Sequence, residues 1–178
     1  TGVKQNGSLT VALTEHRHEE ILRQASMAKA FGVDVNEISI SELKSFHPFL
    51  NVDGVKGAVH LPLDGQGDPA NIAMALAKGA RDLGVKIFED TKVTGLNTHN
   101  NSVSGVHWEN ENGKGLIKTE NAANCAGMWA RDFAESHGVT VPLHACEHFY
   151  IVTEPVKNLS TLPVLRMPDE QTYYKEDA

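Results

Sequence analysis

The hydrophobic pattern at the start of the chain predicts a strand followed by a helix. Residues 7–13 are β-type residues after an Asn-Gly turn signal, which is typical of a strand. Apolar residues then recur at helical spacing and predict a helix over 15–31, which Gly32 ends. The apolar positions of this helix are Ile21, Leu22, Ala25, Ala28 and Phe31.

Two further helices are indicated by capping residues. Ser39, with Glu42 three residues later, forms the pattern of a capping box. Asp68, followed by Pro69 at the first helical position, begins the clearest helix of the chain, and Gly84 ends it. Between these helices, the segment 55–69 is predicted to run from a strand into a Gly-rich loop. The apolar face of the last helix consists of Ile72, Leu76, Ala80 and Leu83.

After residue 84, short alternating segments separated by Asn and Gly predict strands, mostly in hairpins. A helix is predicted over 128–138 and a long strand over 141–155. The other predicted strand segments are 85–90, 92–99, 102–113, 115–127, 164–166 and 172–175. This mixed order predicts an α+β (α/β) fold, with part of a nucleotide-binding fold and part of an antiparallel sheet.

Composition and charge exclude several classes of function. The chain has 178 residues and a net charge of −7, with no basic cluster, so we expect neither nucleic acid nor an anionic membrane as a partner. No apolar run approaches the roughly 20 residues of a membrane span, and no signal peptide opens the chain. Two scattered cysteines, Cys125 and Cys146, are typical of a protein from a reducing compartment. A structural disulfide between them is the alternative interpretation. We therefore expect a cytoplasmic protein.

The Gly-rich loop at 65–70 matches G-x-G-x-x-A but is interpreted as a turn. A pyrophosphate at a helix N-terminus is held by free backbone N–H groups. Pro69 removes one of these donors, and the carboxylate of Asp68 takes the position of the anion. A dinucleotide therefore needs a phosphate-binding loop outside this chain.

A second turn, Ala126-Gly127, is predicted to join a strand at 122–125 to a helix. Small residues at such a turn let a ligand approach the backbone closely. Tight packing alone produces the same arrangement, so both interpretations stay open at this point.

Three residues of metal-ligand types stand at alternate positions in the predicted strand over 141–155: His144, Cys146 and His148. Alternate side chains share a face, but His144 and His148 start about 13–14 Å apart along a straight strand, too far for one zinc shell. We therefore expect no metal site. Tyr150 continues the stripe, which either borders a cavity or is a partly solvated sheet face. The opposite stripe (Leu143, Ala145, Phe149 and Ile151) is predicted to be core.

Several motifs together resemble a known family. They are "DG..DP" in the Gly-rich loop, "N.AG.WAR" at 124–131, "VPL...EH.Y.VTE" at 141–154 and "PVLR......YY" at 163–174. In this order and spacing they resemble the sarcosine and dimethylglycine dehydrogenases, which are flavoproteins related to D-amino-acid oxidase. A regulatory subunit of pyruvate dehydrogenase phosphatase shares the pattern without being an oxidase.

The resemblance implies an FAD-dependent oxidative demethylase acting on a small-molecule N-methyl amine. It implies that His148 and Tyr173 line the substrate side of the flavin as catalytic residues. It also implies that Val93, Ala126, Gly127 and Trp129 bind the cofactor. The family usually has Gln where this chain has Phe149. An electron-transfer protein or oxygen is the implied electron acceptor, and the mitochondrial matrix is the expected location if the organism is eukaryotic.

The resemblance also implies that the chain is a fragment. The family's N-terminal G-x-G-x-x-G unit, which binds the FAD phosphates, does not occur in it. We assign residues 1–66 and 139–178 to substrate-domain-like segments and 67–138 to part of an FAD/NAD(P)-binding-type domain. We expect the fragment alone to bind FAD poorly and to be inactive. Tetrahydrofolate is left open as a second cofactor of the full-length protein, and the alternative to an enzyme is a non-catalytic regulatory module.

Overall fold

A computed structural model describes residues 2–157 and 162–176. The chain divides into two compact units, one formed by Thr1–Leu83 with Ile151–Ala178 and the other by Gly84–Tyr150. The strands are β1 (Val3–Lys4), β2 (Ser8–Ala12), β3 (Asn36–Ile38), β4 (Gly57–Leu61), β5 (Gln66–Gly67), β6 (Lys92–His99), β7 (Ser102–Asn110), β8 (Gly113–Lys118), β9 (Val164–Met167) and β10 (Thr172–Tyr174). The helices are α1 (Glu15–Ala30), α2 (Ile40–Phe46), α3 (Pro69–Asp82) and α4 (Ala130–Glu135), and a 3-10 turn over Gly127–Trp129 precedes α4.

The first unit is built on a five-stranded mixed sheet with strand order β10-β9-β2-β4-β3. The pair β2–β9 is parallel and the other pairs are antiparallel. Because successive side chains of a strand point to opposite faces, the sheet has a core on each side. One core, with α2, contains Leu9, Val11, Ile38, Leu43, Leu50, Ala58, Leu165 and Met167. The other, with α1, contains Ala12, Ile21, Ala25, Val35 and Val59.

The predicted helix caps are confirmed. The hydroxyl of Ser39 accepts from the Glu42 N–H at 3.2 Å, and the Glu42 carboxylate accepts from the Ser39 N–H at 2.8 Å, which completes the capping box. Asp68 accepts from the N–H of Asn71 at 3.0 Å. Its carboxylate therefore occupies the N-terminus of α3, the position that a phosphate would need in a dinucleotide loop.

The second unit contains a three-stranded antiparallel sheet with strand order β6-β7-β8. This order agrees with the predicted hairpins over 92–118. The predicted helix over 128–138 is shorter, because α4 covers only Ala130–Glu135 after the 3-10 turn. No helix in the described parts of the chain is long and apolar enough to cross a membrane.

Three predicted strands are wrong. Residues 85–90, 122–125 and 141–155 form no strand in the described structure, whereas the short strands β1, β3 and β5 were not predicted. Apolar alternation favours a strand, but a strand also requires a neighbouring backbone to pair with. The stripe predicted as core is exposed accordingly: Phe149 and Ile151 are 85% and 91% accessible. The apolar face of α3 is likewise not buried, since Leu76 is 70% accessible.

Candidate functional site

Val93 lies on β6, an edge strand of the second unit's sheet. It pairs with Trp108, and the next registered pair joins Gly95 to His107, so Thr94 is an extra residue on β6. An extra residue of this kind is a β-bulge, which bends an edge strand and redirects its side chains. Val93 is about half exposed beside the bulge.

His137 holds the bulged strand to the end of α4. Its Nε2 accepts a hydrogen bond from the Leu96 N–H at 2.9 Å, and its Nδ1 lies 2.9 Å from the Phe133 carbonyl oxygen. Because Nε2 is the acceptor, Nδ1 carries the proton of the neutral ring and donates to the carbonyl. Sequence reasoning missed this role, since a histidine before a glycine at a helix end has an ordinary explanation in helix capping.

The turn at Ala126-Gly127 is organised by Asn124. The side-chain oxygen of Asn124 accepts from the Ala126 N–H at 3.2 Å, and its side-chain nitrogen donates to the Ala130 carbonyl at 2.9 Å. Gly127 has a φ of +55°, and a Cβ added there meets no atom within 4 Å. The turn is thus built by local hydrogen bonds, and its backbone borders open space.

These features fit a flavin nucleotide that is bound through backbone groups. Among the described residues, none accepts a hydrogen bond from the amides of Gly127 or Met128. Trp129 is 68% accessible, an unusual exposure for a large aromatic side chain. The free amides can hydrogen-bond to cofactor oxygens, and the indole offers an apolar surface for a ring system.

His148 lies in an exposed segment without regular structure. The predicted strand face of His144, Cys146 and His148 is therefore wrong, because their segment forms no strand in the described structure. The Cys146 thiol contacts the carbonyl of His144 at 3.9 Å. In residues 2–157 and 162–176, no group of three or more His, Cys, Asp or Glu side chains is arranged to hold a metal ion.

Tyr173 lies on β10 at the edge of the first unit's sheet. The register pairs Tyr173 with Arg166 of β9, and Tyr174 with Leu165. Leu165 is buried in the core beside α2, so Tyr174 shares that face. Tyr173 and Arg166 consequently lie on the opposite face.

Asp169 anchors the turn between β9 and β10. Its carboxylate accepts from the Leu13 N–H at 2.8 Å, from the Thr14 hydroxyl at 3.3 Å and from Arg17 Nε at 3.3 Å. The bond from Leu13, assisted by Arg17, holds the pKa of Asp169 below its ordinary value. The turn that leads into Tyr173 is therefore tied to the start of α1.

The first unit also contains an open cavity of about 440 Å³ beside the end of α2. The rings of Phe46 and His60 meet there with centroids 4.3 Å apart. Burial lowers the pKa of His60, which favours the neutral imidazole. None of the six residues predicted for the site lines this cavity.

The comparisons with known proteins agree with the predicted family. A family model described as FAD dependent oxidoreductase matches residues 1–178. The chain belongs to the FAD-dependent oxidoreductases. Human mitochondrial sarcosine dehydrogenase is 36% identical to it over 98% of the chain and 19% of that protein. The mitochondrial regulatory subunit of pyruvate dehydrogenase phosphatase from mouse is 36% identical over 87% of the chain and 17% of that protein.

Among solved structures, L-proline dehydrogenase from P. horikoshii matches with a TM-score of 0.82 and 26% identity, over 98% of this chain and 46% of that one. Our chain, a member of the FAD-dependent oxidoreductase family, therefore has the mixed helix-and-strand fold that its element order predicts. The chain spans about a fifth of the length of sarcosine dehydrogenase and of the phosphatase regulatory subunit. The predicted division into substrate and FAD-binding segments, and the roles of the six site residues, stay predictions.

Proposed function

We propose that this chain is part of an FAD-dependent enzyme that oxidatively demethylates an N-methyl amino acid such as sarcosine or dimethylglycine. The observation that carries the proposal is the 36% identity to human sarcosine dehydrogenase, over 98% of the chain. The proposed substrate class is taken from the name of that relative, sarcosine dehydrogenase. The reaction is proposed for the full-length protein and not for this chain alone.

In this proposal, His148 and Tyr173 act on the substrate. An amine must be in its neutral form to be oxidised at the flavin. A nearby base that takes the proton of the ammonium form therefore raises the rate of amine oxidation. Histidine titrates near neutrality and serves as that base, while the Tyr173 hydroxyl orients the substrate by a hydrogen bond. FAD, when bound, supplies the electron acceptor for the substrate's hydride.

Four residues are proposed to bind FAD. The backbone of Val93 at the bulged edge of β6 meets the adenine part, and the turn formed by Ala126, Gly127 and Trp129 lies beside the cofactor. The open space around Gly127 and the exposed indole support this assignment. Oxygen or an electron-transfer protein is the proposed final acceptor, and tetrahydrofolate is a proposed second cofactor of the full-length protein.

A non-catalytic regulatory module is the second candidate. It is favoured by one observation, the 36% identity to the mouse phosphatase regulatory subunit over 87% of the chain. That relative matches this chain as well per residue as the sarcosine dehydrogenase does, so identity alone does not separate the two functions.

Anaerobic reduction of the flavin in the full-length protein separates the two candidates. We expect sarcosine or dimethylglycine to bleach the flavin absorbance of the wild type. A flavin that stays oxidised with every N-methyl amino acid would favour the regulatory module.

Matched histidine variants test the assignment of the base. We expect His148→Ala to slow flavin reduction by about 100-fold or more, as is typical for loss of a general base, and His144→Ala to change it little. His144 is an appropriate control because it lies in the same exposed segment. Equal effects of the two substitutions would contradict the role of His148.

A further inference from the structure

The imidazole of His137 joins two parts of the second unit that are both assigned to the cofactor. One part is the edge strand β6, which carries Val93 beside its bulge. The other is the stretch 124–129, which is called the cofactor turn from here on and which leads into α4. The ring of His137 bonds to both, because Nε2 accepts from the Leu96 N–H and Nδ1 donates to the Phe133 carbonyl, each at 2.9 Å.

On the strand side, His137 covers the outer edge of β6. An edge strand has no neighbouring strand to accept its outward amides. Leu96 follows the bulge at Thr94 by two residues, and its amide donates to the imidazole. The ring also lies against Gly95, where an added Cβ would stand 3.5 Å from Nε2. The histidine therefore contacts β6 directly after the bulge.

On the helix side, the imidazole is fixed to the structure that carries the cofactor turn. Its Nδ1 lies 2.9 Å from the Ser136 hydroxyl as well as from the Phe133 carbonyl, and the Phe133 ring packs on the imidazole with centroids 4.9 Å apart. The turn itself is tied to the start of α4, since the Asn124 side chain donates to the Ala130 carbonyl at 2.9 Å. The cofactor turn, α4 and His137 thus form one continuous piece.

The bond from Leu96 to His137 is a single link between this piece and β6. Among the described residues, no other hydrogen bond joins β6 to the stretch 120–140. Both parts belong to the same compact unit, so the link acts within one body. It therefore sets the position of the bulge relative to the cofactor turn.

We propose that His137 is a positioning residue of the cofactor site, which holds Val93 and the cofactor turn at the separation that lets both contact one FAD molecule. This inference rests on the proposed function, which places the adenine part of FAD at Val93 and the turn beside the cofactor. A ligand that spans two subsites binds more tightly when the subsites are held at the matching distance. Loss of His137 therefore weakens binding of the whole cofactor more than binding of its separate halves.

The test is a titration of the full-length apoprotein with FAD and with its two halves, ADP and FMN. We expect His137→Ala to raise the Kd of FAD by about tenfold or more, and those of ADP and FMN by less than about twofold. A residue that only stabilises the fold would weaken all three ligands by the same factor, because it changes the fraction of protein competent to bind.

Two variants of similar shape separate the strand-side bond from the rest of the side chain. The side-chain oxygen of glutamine reaches about as far as Nε2, so His137→Gln should keep the Kd of FAD within about threefold of the wild type. Asparagine is shorter and ends near the position of Nδ1, so His137→Asn should raise the Kd of FAD as much as His137→Ala does. If His137→Ala does not fold, these two variants decide the question.

The control is His99→Ala, which removes an exposed imidazole from the same strand. It should leave all three Kd values unchanged. Equal factors for FAD and for either half in His137→Ala overturn the inference. So does a His137→Asn protein that binds FAD as tightly as His137→Gln.

This experiment fails separately from the proposed function. A wild type that sarcosine reduces, with an FAD affinity indifferent to His137→Ala, leaves the demethylase standing and removes the role of His137. A wild type that no N-methyl amino acid reduces, with a loss of affinity confined to FAD in His137→Ala, removes the demethylase and supports the role of His137.

Discussion

The hydrogen bond between His137 and the bulged strand β6 leads to the sharpest prediction about stability. His137→Ala removes the acceptor of the Leu96 N–H, a bond of 2.9 Å, and the contact of the imidazole with the Phe133 ring, whose centroids are 4.9 Å apart. An amide that loses its partner costs about 1–3 kcal/mol when it stays buried. Because β6 is an edge strand that water reaches, we expect a loss of about 1–2 kcal/mol.

Amide hydrogen exchange gives the residue-level measurement. A local loss of about 1–2 kcal/mol corresponds to exchange of the Leu96 amide that is roughly 5–30 times faster in His137→Ala than in the wild type. His137→Gln should restore part of the protection, because a side-chain amide oxygen can also accept the bond. Urea unfolding should show a matching decrease in the free energy of unfolding.

His99→Ala is the matched control, since His99 is exposed at the other end of the same strand. It should leave exchange at Leu96 unchanged. The reasoning is refuted if Leu96 exchanges at the wild-type rate in His137→Ala, because its protection then comes from another source.

Three further substitutions test the fold. Asp169 has a lowered pKa, so its contribution to stability is present above the unfolded value near 4 and is lost as the pH falls through the folded pKa. In acid titration below about pH 4, Asp169→Asn should therefore lose less of its free energy of unfolding than the wild type loses. Gly65→Ala places a Cβ 2.0 Å from the Lys4 carbonyl oxygen and should cost about 1–3 kcal/mol in urea unfolding, whereas Gly79→Ala, in open space on α3, should be neutral or stabilising by up to about 1 kcal/mol; similar losses in both would contradict the packing argument. Ser39→Ala should lower the thermal midpoint through a loss of about 1 kcal/mol, and Ser39→Asp should keep the wild-type value; a Ser39→Ala midpoint equal to that of the wild type would argue against the cap.

The helices and their first residues were predictable because their signals are local. The hydroxyl of Ser39 and the carboxylate of Asp68 each reach an amide three residues ahead, so the helix start depends only on neighbouring sequence. The Asp68 carboxylate caps α3 as predicted, but Gln66–Gly67 of the G-x-G-x-x-A segment form the short strand β5 and not a turn. The hairpin strands β6, β7 and β8 were equally predictable, because short turns pair each of them with the strand next to it in the sequence.

The segment 141–155 alternates between polar and apolar residues, apart from Glu147, but does not form a strand. The strand β2 pairs with β4 and β9, whereas 141–155 has no paired neighbour in the described structure. Alternation describes which side chains share a face and carries no information about the partner backbone. The predicted spacing of His144 and His148 along a strand therefore required a paired neighbour, which the alternation alone does not reveal.

Motifs and contacts a few residues apart were enough to predict the family, the helix caps and most of the helices and strands. The distant residues that became neighbours could be identified from the folded chain alone. Thr10 and Tyr173, for example, both become neighbours of Arg166, because β9 lies between β2 and β10 although it follows β2 by more than 150 residues. The bond from Leu96 to His137 likewise spans 41 residues. Such pairings are set by sheet order and register, which are properties of the folded chain as a whole.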